Sequence, residues 1–418
     1  MNEAEPKIQC FGTRGSAEAY ALRDFLYRNG VPFRWIELRS DEQARAEAQV
    51  DGLDDQRLPV CVFPDGTRLE CPSVRQIAEK LGWFLNPSRS EYDLAIYGAG
   101  PAGLSAAVYG ASEGLKTVVV ERWAVGGQAA SSPKIENYLG FPQGISGAQL
   151  AERAREQACR FGAEILLLRE GVRGEFLPGK GIGYLADGSK IIAHASVCAT
   201  GIVYRRLDLP NENRFLGAGV YYGAGASEAE FCGHEHVVVV GGGNSAGQAA
   251  LHLARYASKV TMVLREQRLT ENMSQYLADG IRASQRIEVL LRTEIMALHG
   301  DRILRAVTLR NHATREERIV ETSWLFLCLG GIPQTHWAED VGMVRDDAGY
   351  LVTGPDLLRN GRRPENWQLE REPYYLETNV PGVFAAGDVR HGSVKRFASA
   401  VGEGAMAVTF VHRYLTGG

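Results

Sequence analysis

Leu94-Ala95-Ile96-Tyr97-Gly98-Ala99-Gly100-Pro101-Ala102-Gly103 runs from an apolar stretch into three glycines spaced Gly-x-Gly-x-x-Gly. The apolar residues predict a buried strand, and the glycines open a helix over 104–113. A second apolar run, Thr117-Val118-Val119-Val120, ends on Glu121. Each position has a physical reason: Gly98 permits the tight turn, Gly100 lets a pyrophosphate approach the backbone, and Gly103 lets helix and strand pack closely. The helix N-terminus beside them, with Pro101 and Ala102, presents backbone N–H groups to an anion. Glu121 stands where an acid accepts from ribose hydroxyls, so this is a dinucleotide site.

The pattern occurs twice. Val237-Val238-Val239-Val240 leads into Gly241-Gly242-Gly243-Asn244-Ser245-Ala246, with alanine at the third position, which still permits close helix packing. Each copy continues with a helix, a second apolar strand, a polar hairpin and an apolar strand closing on glycine, at Thr200-Gly201 in the first and Gly330 in the second. Two βαβ nucleotide domains in series follow. In the second, Val260-Thr261-Met262-Val263 ends in Leu264-Arg265-Glu266, so leucine takes the place of a ribose-binding acid and a cation comes next. Arg265 favours a 2′-phosphate and hence NADPH, with NADH the alternative and Glu266 counting against the phosphate.

Composition sets the outer bounds. The 418 residues, at roughly 150 per domain, predict about three domains, and 45% hydrophobic content is enough for a core in each. With 46 basic and 50 acidic residues the net charge is −4, which gives no electrostatic ground for a nucleic-acid or anionic-membrane partner. Seven cysteines form no tight framework and no metal-ligating cluster. There is neither an apolar leader nor an apolar run long enough to cross a membrane, so the reading is a cytoplasmic chain with reduced thiols.

The first 85 residues read as a separate small sheet with helices on it. Strands are expected at 8–12 and 33–38, a helix at 17–27, a hairpin from 58–63 and 68–70 closed by Pro64-Asp65-Gly66, and a final helix from Ser73 to Leu81. Polar Asn86-Pro87-Ser88-Arg89-Ser90 reads as a linker.

Gly126-Gly127-Gln128, Lys134-Ile135-Glu136-Asn137-Tyr138, Gly140-Phe141-Pro142 and Phe384-Ala385-Ala386-Gly387-Asp388-Val389 together resemble the thioredoxin reductase family of flavoproteins, over about 93–415. The resemblance implies FAD on the first nucleotide domain, with Gly126, Gly127, Gln128 and Asn137 around the flavin and Gly387-Asp388 near its ribityl chain. It implies NADPH on an inserted second domain that rotates about hinges near 204–209 and 330–333. Lys395, Arg396 and Phe397 open a helix that would approach the flavin's pyrimidine edge, where positive charge stabilises reduced flavin. A homodimer is implied as well.

The sequence also departs from that family. The stretch aligned with its Cys-x-x-Cys pair is Tyr221-Tyr222-Gly223-Ala224-Gly225-Ala226, and the acid that follows corresponds to Ser227, with Glu228 next. Glu228 and His391 are the candidate proton-transfer residues. The small residues at 223–226 are expected to leave space beside the flavin for a substrate. Cys232 is single and reads as core. Likewise the N-terminal segment, with Leu58-Pro59-Val60 before a strand, resembles a glutaredoxin or thioredoxin-like domain in which that proline is cis, yet Ser16-Ala17-Glu18-Ala19 stands where such domains carry their cysteine pair. Cys10 and Cys61 are expected on neighbouring strands as core residues.

The resulting expectation is an α/β protein with two Rossmann-like (three-layer ββα) dinucleotide domains. An FAD domain over 93–203 and 333–418 would hold an inserted NAD(P)H domain over 204–332, preceded by a thioredoxin-like domain over 1–85 and a linker over 86–92. Its function would be hydride transfer from NADPH to flavin N5, then electron transfer to an external acceptor such as a redox protein, a quinone, a small disulfide or oxygen. A disulfide reductase using other thiols, and a non-catalytic sensor or docking protein that holds both cofactors, are the alternatives.

Overall fold

The computed structural model describes residues 7–365 and 367–417 and divides into two compact units. One comprises Ala78–Ala130, Ile135–Val203 and the chain from Gly331 onward. Its sheet runs Glu164–Leu167, Thr117–Glu121, Tyr92–Tyr97, Lys190–Cys198, Lys180–Leu185 and Gly171–Leu177, with Val383–Ala385 also paired to Lys190–Cys198. The five strands around the glycine turn are parallel, and the last two form an antiparallel hairpin. Both faces are covered, which is why these strands read as unbroken apolar runs. Leu94, Ile96, Val119 and Val197 enter one core with Leu104, Phe384 and Val408, while Tyr92, Ala95, Val118 and Val120 enter another on the opposite face.

The helix after the glycine turn spans Pro101–Ser112, starting three residues before the expected 104. Proline at the first helical position explains the difference, since its missing N–H would have no intrahelical partner there. Residues 86–90 are a strap rather than a free linker. Ser88 donates from backbone N and Oγ to the Glu164 carboxylate, and Arg169 donates to Leu85 O (3.1 Å) and Asn86 Oδ1 (2.7 Å).

The other unit comprises the chain up to Ile77, a short piece at 131–134, and Tyr204–Gly330. Its five-stranded parallel sheet runs Val220–Tyr222, Leu325–Leu327, His236–Val240, Lys259–Val263 and Ile287–Leu290. A three-stranded antiparallel sheet, Thr293–Gly300, Leu304–Asn311 and Glu317–Glu321, takes the place of the expected hairpin. The chain passes from one unit to the other at Val203/Tyr204 and Gly330/Gly331, as well as at Ile77/Ala78 and on either side of 131–134.

The N-terminal strands form a four-stranded sheet in the order Phe33–Glu37, Ile8–Gly12, Val60–Val62, Arg68–Glu70, and the Leu58–Pro59 bond is cis. Ser16 caps the helix Ala17–Arg28 by accepting from Ala19 N. Cys10 and Cys61 are directly paired in register with their sulfurs 3.3 Å apart, fully buried and free. This sheet belongs to the same compact unit as the second nucleotide fold, and the helix shows why. Its positions Tyr20, Arg23 and Tyr27 recur at one-turn spacing on one face. Tyr20 packs edge-on to Tyr221 (5.3 Å), and Arg23 donates to Glu228 (3.2 Å) while lying over the rings of Phe231 and Trp35. Arg14 adds a two-pronged pair with Glu235 (2.9 and 3.1 Å) and covers the Trp324 ring.

Candidate functional site

The first glycine turn is built as the spacing requires. Gly98 has φ +105°, and a Cβ there would lie 2.4 Å from Ala199 O; a Cβ on Gly103 would lie 1.8 Å from Gly98 O. Only glycine lets the helix start this close to the strand. At Gly100 nothing stands within 4 Å of the Cβ position, so the helix N-terminus opens forward. Glu121, buried, accepts from Ala99 N (2.7 Å) and Trp123 N (2.8 Å), which fixes its carboxylate behind the turn and leaves lone pairs to accept further bonds.

Three other segments converge on that turn. Gly126 N donates to Ala99 O (2.7 Å), and a Cβ on Gly127 would come within 3.2 Å of Gly100 Cα. Gln128 is held by its amide donating to Ile202 O (2.7 Å), beside Thr200 and Gly201, the latter with φ +64°. Gly387, φ +78°, sets the start of the last motif against Ala102, where its Cβ would stand 2.9 Å from that of Ala102. Glu403, assigned no role by the sequence pattern, fixes this loop. It accepts from Gly387 N (2.7 Å), Arg390 (2.7 Å) and Ser393 Oγ (2.9 Å). An acid in the second turn of the following helix, facing back to a glycine loop, was the available signal.

These residues fit a dinucleotide carrying a flavin: a forward-facing helix N-terminus for the pyrophosphate, Glu121 for the ribose, and a glycine cradle that any Cβ would fill. Asp388 is half-buried beside Gly387, and burial raises its carboxyl above the ordinary value while Lys395 works against the rise. Lys395 lies over the Tyr350 ring (4.2 Å), Arg396 stands at the N-cap position of the helix Phe397–Leu415 with its guanidinium donating to Lys395 O (2.9 Å), and Phe397 packs on Tyr138 (4.9 Å). Asn137 is exposed on its loop, and no side-chain bond ties it to this cluster. His391 pairs with Asp346 (2.7 Å). Burial acts to raise the Asp346 carboxyl, but the His391 bond and two backbone N–H groups outweigh it and hold it low.

The second glycine turn repeats the design. Gly241 has φ +138°, and a Cβ would lie 2.4 Å from Cys328 O; Gly243 has nothing within 4 Å of that position; Ala246 is buried in the helix contact. Ser245 is exposed in the first helical turn, and Asn244 exchanges bonds with Ser274, accepting from its N (2.7 Å) and donating to its Oγ (3.0 Å). Gly330, φ +75°, is exposed. Arg265 is exposed with no ion-pair partner among the described residues. The residue set against the turn is Glu266, whose carboxyl would lie within 2.6–2.8 Å of a Cβ on Gly242.

Two expectations need correction at 223–228. The small residues do not leave room for a substrate. At Gly223 the Cβ direction is closed by the Tyr204 hydroxyl (2.7 Å) and Ser131 (3.4 Å), at Gly225 by the Phe326 ring (2.2 Å), and Ala224 is buried. Glycine serves here to take φ +98° and +62° under packed aromatic rings. Glu228 is not an accessible proton donor. It is 2% exposed and bonded to Arg23 and Ser227, and burial raises its carboxyl above the ordinary value even with Arg23 alongside.

Five of the seven free thiols are buried. Cys198 and Cys328 are buried and pushed up to about 12, and burial likewise raises Cys232. The bond to Cys61, with burial, drives Cys10 far above its ordinary value. Raised thiols are poor nucleophiles. Only Cys71 and Cys159 are exposed among the described cysteines. No group of described residues could hold a metal, and no described helix is long and apolar enough to cross a membrane.

Two linked dinucleotide folds, the first with a glycine-lined cradle that fits a flavin dinucleotide, point to a nucleotide-dependent flavoprotein. Residues 92–404 match the pyridine nucleotide-disulphide oxidoreductase family. The chain is 35% identical to a thioredoxin reductase of Bacillus subtilis over 327 residues, 78% of this chain and 95% of the relative. It is 33% identical to one of Treponema pallidum, over 78% of this chain and 98% of that one. Among solved structures, the thioredoxin reductase of T. acidophilum superposes with a TM-score of 0.69 at 29% identity, covering 79% of this chain and 99% of the other. The Lactococcus lactis enzyme in its FR conformation gives 0.68 at 28% identity, covering 78% and 99%. The chain therefore belongs to the pyridine nucleotide-disulphide oxidoreductase family, in its thioredoxin reductase-like branch. These are NAD(P)H-dependent flavoprotein oxidoreductases, and FAD and NADPH are the cofactors of the family.

Proposed function

We propose that this chain takes hydride from NADPH and delivers the electrons to an external acceptor without an internal dithiol. Bound FAD would supply the two-electron chemistry, accepting hydride at N5 and passing the electrons on. The chain's own residues hold and orient. The helix at Pro101 and the Gly98–Gly103 turn would take the pyrophosphate, Glu121 the ribose, and Gly126–Gln128 with Gly387–Asp388 the remaining length. Positive charge from the Phe397 helix N-terminus, Lys395 and Arg396 would stabilise an anionic ring. In the second fold Gly241–Ala246 would take the nicotinamide nucleotide's pyrophosphate.

One observation carries the reading. The stretch 223–226 lacks cysteine and is packed under Tyr204 and Phe326, while the buried thiols elsewhere are raised by their surroundings. The reductive half-reaction needs no thiol, so its residues persist while the relay does not. A cytoplasmic homodimer donating to a redox protein or a small oxidant is the assembly this reading expects. Mixing holoprotein anaerobically with NADPH or NADH in a stopped-flow spectrometer tests it. Rapid loss of the flavin bands is expected; a flavin that stays oxidised with both nucleotides would leave a sensor or docking protein.

A further inference from the structure

The second glycine turn carries an acid that strand spacing alone assigns no role. In a βαβ nucleotide fold, a carboxylate at the end of the second strand accepts from the adenosine ribose hydroxyls, and a cation there takes a 2′-phosphate. Here the strand Lys259–Val263 is followed by Leu264, which is buried in the core, then by exposed Arg265, then by Glu266. It is Glu266 that returns to the turn, with its carboxyl against Gly242. Its position is built from several sides. Arg292 N donates to its carbonyl (3.0 Å), Asn272 donates to its Oε1 (3.4 Å), and Asn272 forms a bridge with Gly243. The loop 266–272 thus lies along the glycine turn, with its acid against Gly242 and nothing within 4 Å of the Cβ position of Gly243.

We propose that Glu266 is a specificity-determining residue for the nicotinamide nucleotide. Its carboxylate accepts from the ribose hydroxyls of NADH and opposes the 2′-phosphate of NADPH, with Arg265 as the counter-charge, so that both nucleotides are used. This deepens the proposed function and rests on it for the identity of the site. A 2′-phosphate brings close to two negative charges next to a fixed carboxylate, whereas a ribose hydroxyl gains a charge-assisted bond. The two ligands therefore respond in opposite directions to the same side chain.

The test pairs a binding measurement with a rate. Calorimetry gives the affinities of holoprotein for 2′,5′-ADP and for ADP, and anaerobic stopped flow gives flavin reduction by NADPH and NADH. Glu266→Gln is expected to raise the 2′-phosphate preference, as the ratio of the two affinities, by about tenfold, and Arg265→Gln to lower it by a similar factor. Glu266→Ser serves if the glutamine variant does not fold. A folded Glu266 variant whose ratio stays within about twofold of the parent would overturn the proposal. Should the affinity ratio shift while neither nucleotide reduces the flavin, the specificity assignment stands and the reductase reading falls. Reduction by both with no shift leaves the reductase and removes Glu266's role.

Discussion

Replacing Arg23 by methionine removes a guanidinium from a site where Glu228, 2% exposed, has Arg23 and Ser227 as its polar partners. Methionine keeps an apolar stem against Trp35 and Phe231, so the loss is chiefly of charge. Breaking such a pair costs roughly 3–5 kcal/mol. Proton uptake sets a ceiling on the cost. A buried carboxylate without its cation takes up a proton, and from an ordinary value of 4.5 to pH 7 that costs about 1.4 kcal/mol per unit, or about 3.4 kcal/mol. The sign follows from burial having already raised Glu228. An acid raised in the folded state binds more protons there than when unfolded, so its contribution is favourable at low pH and is lost as pH rises above 4.5. Removing the cation raises Glu228 further, so the destabilisation by Arg23→Met should grow from pH 5 to pH 7 and reach at most about 3 kcal/mol at the upper end. Urea unfolding across that range, with hydrogen exchange of the Ala17–Arg28 amides to localise the change, measures it. A loss under about 1 kcal/mol at pH 7, or one that does not vary with pH, would refute a stabilising role for this ion pair between the N-terminal helix and the nucleotide fold.

Three other outcomes are expected. Gly103→Val, whose side chain would meet Gly98 O at 1.8 Å, should yield protein with flavin content at least about tenfold below the parent, read from the absorbance ratio after purification. Glu403→Gln leaves Arg390 without its carboxylate and weakens the bond to Gly387; about 2–4 kcal/mol of stability and slower flavin retention on dilution should be lost together. Of the seven thiols, the two exposed ones, Cys71 and Cys159, should react with an aromatic disulfide reagent in the native protein. Blocking them should leave NADPH-driven flavin reduction unchanged.

Much of the fold could be read from the chain because both glycine turns combine a period and a chemistry that each point to one geometry. Gly98, Gly103 and Glu121 stand where their spacing put them, and the strands Ile8–Gly12 and Arg68–Glu70 have the expected bounds. What could not be read depended on which surfaces meet across long separations. Tyr20 and Arg23 look like an ordinary amphipathic helix face; only folding shows that Tyr221 and Glu228, some two hundred residues on, form its partner. Glycine at 223 and 225 is equally consistent in sequence with empty space or with positive φ under an aromatic ring, and Tyr204 and Phe326 decide for the latter. Glu266 could be read only as counting against a 2′-phosphate, not as the acid at the turn. Counting along the strand assigns Leu264 to the ribose position, whereas the loop after it turns back by two further residues.

The measurement that bears most directly on a reductase without a thiol relay is an anaerobic titration of holoprotein with NADPH, counting electrons to full loss of the flavin bands. With no redox-active disulfide, about one NADPH per FAD completes the bleaching, two electrons in all. An end point near two NADPH per FAD would reveal a second two-electron acceptor in the chain and contradict electron delivery without an internal dithiol.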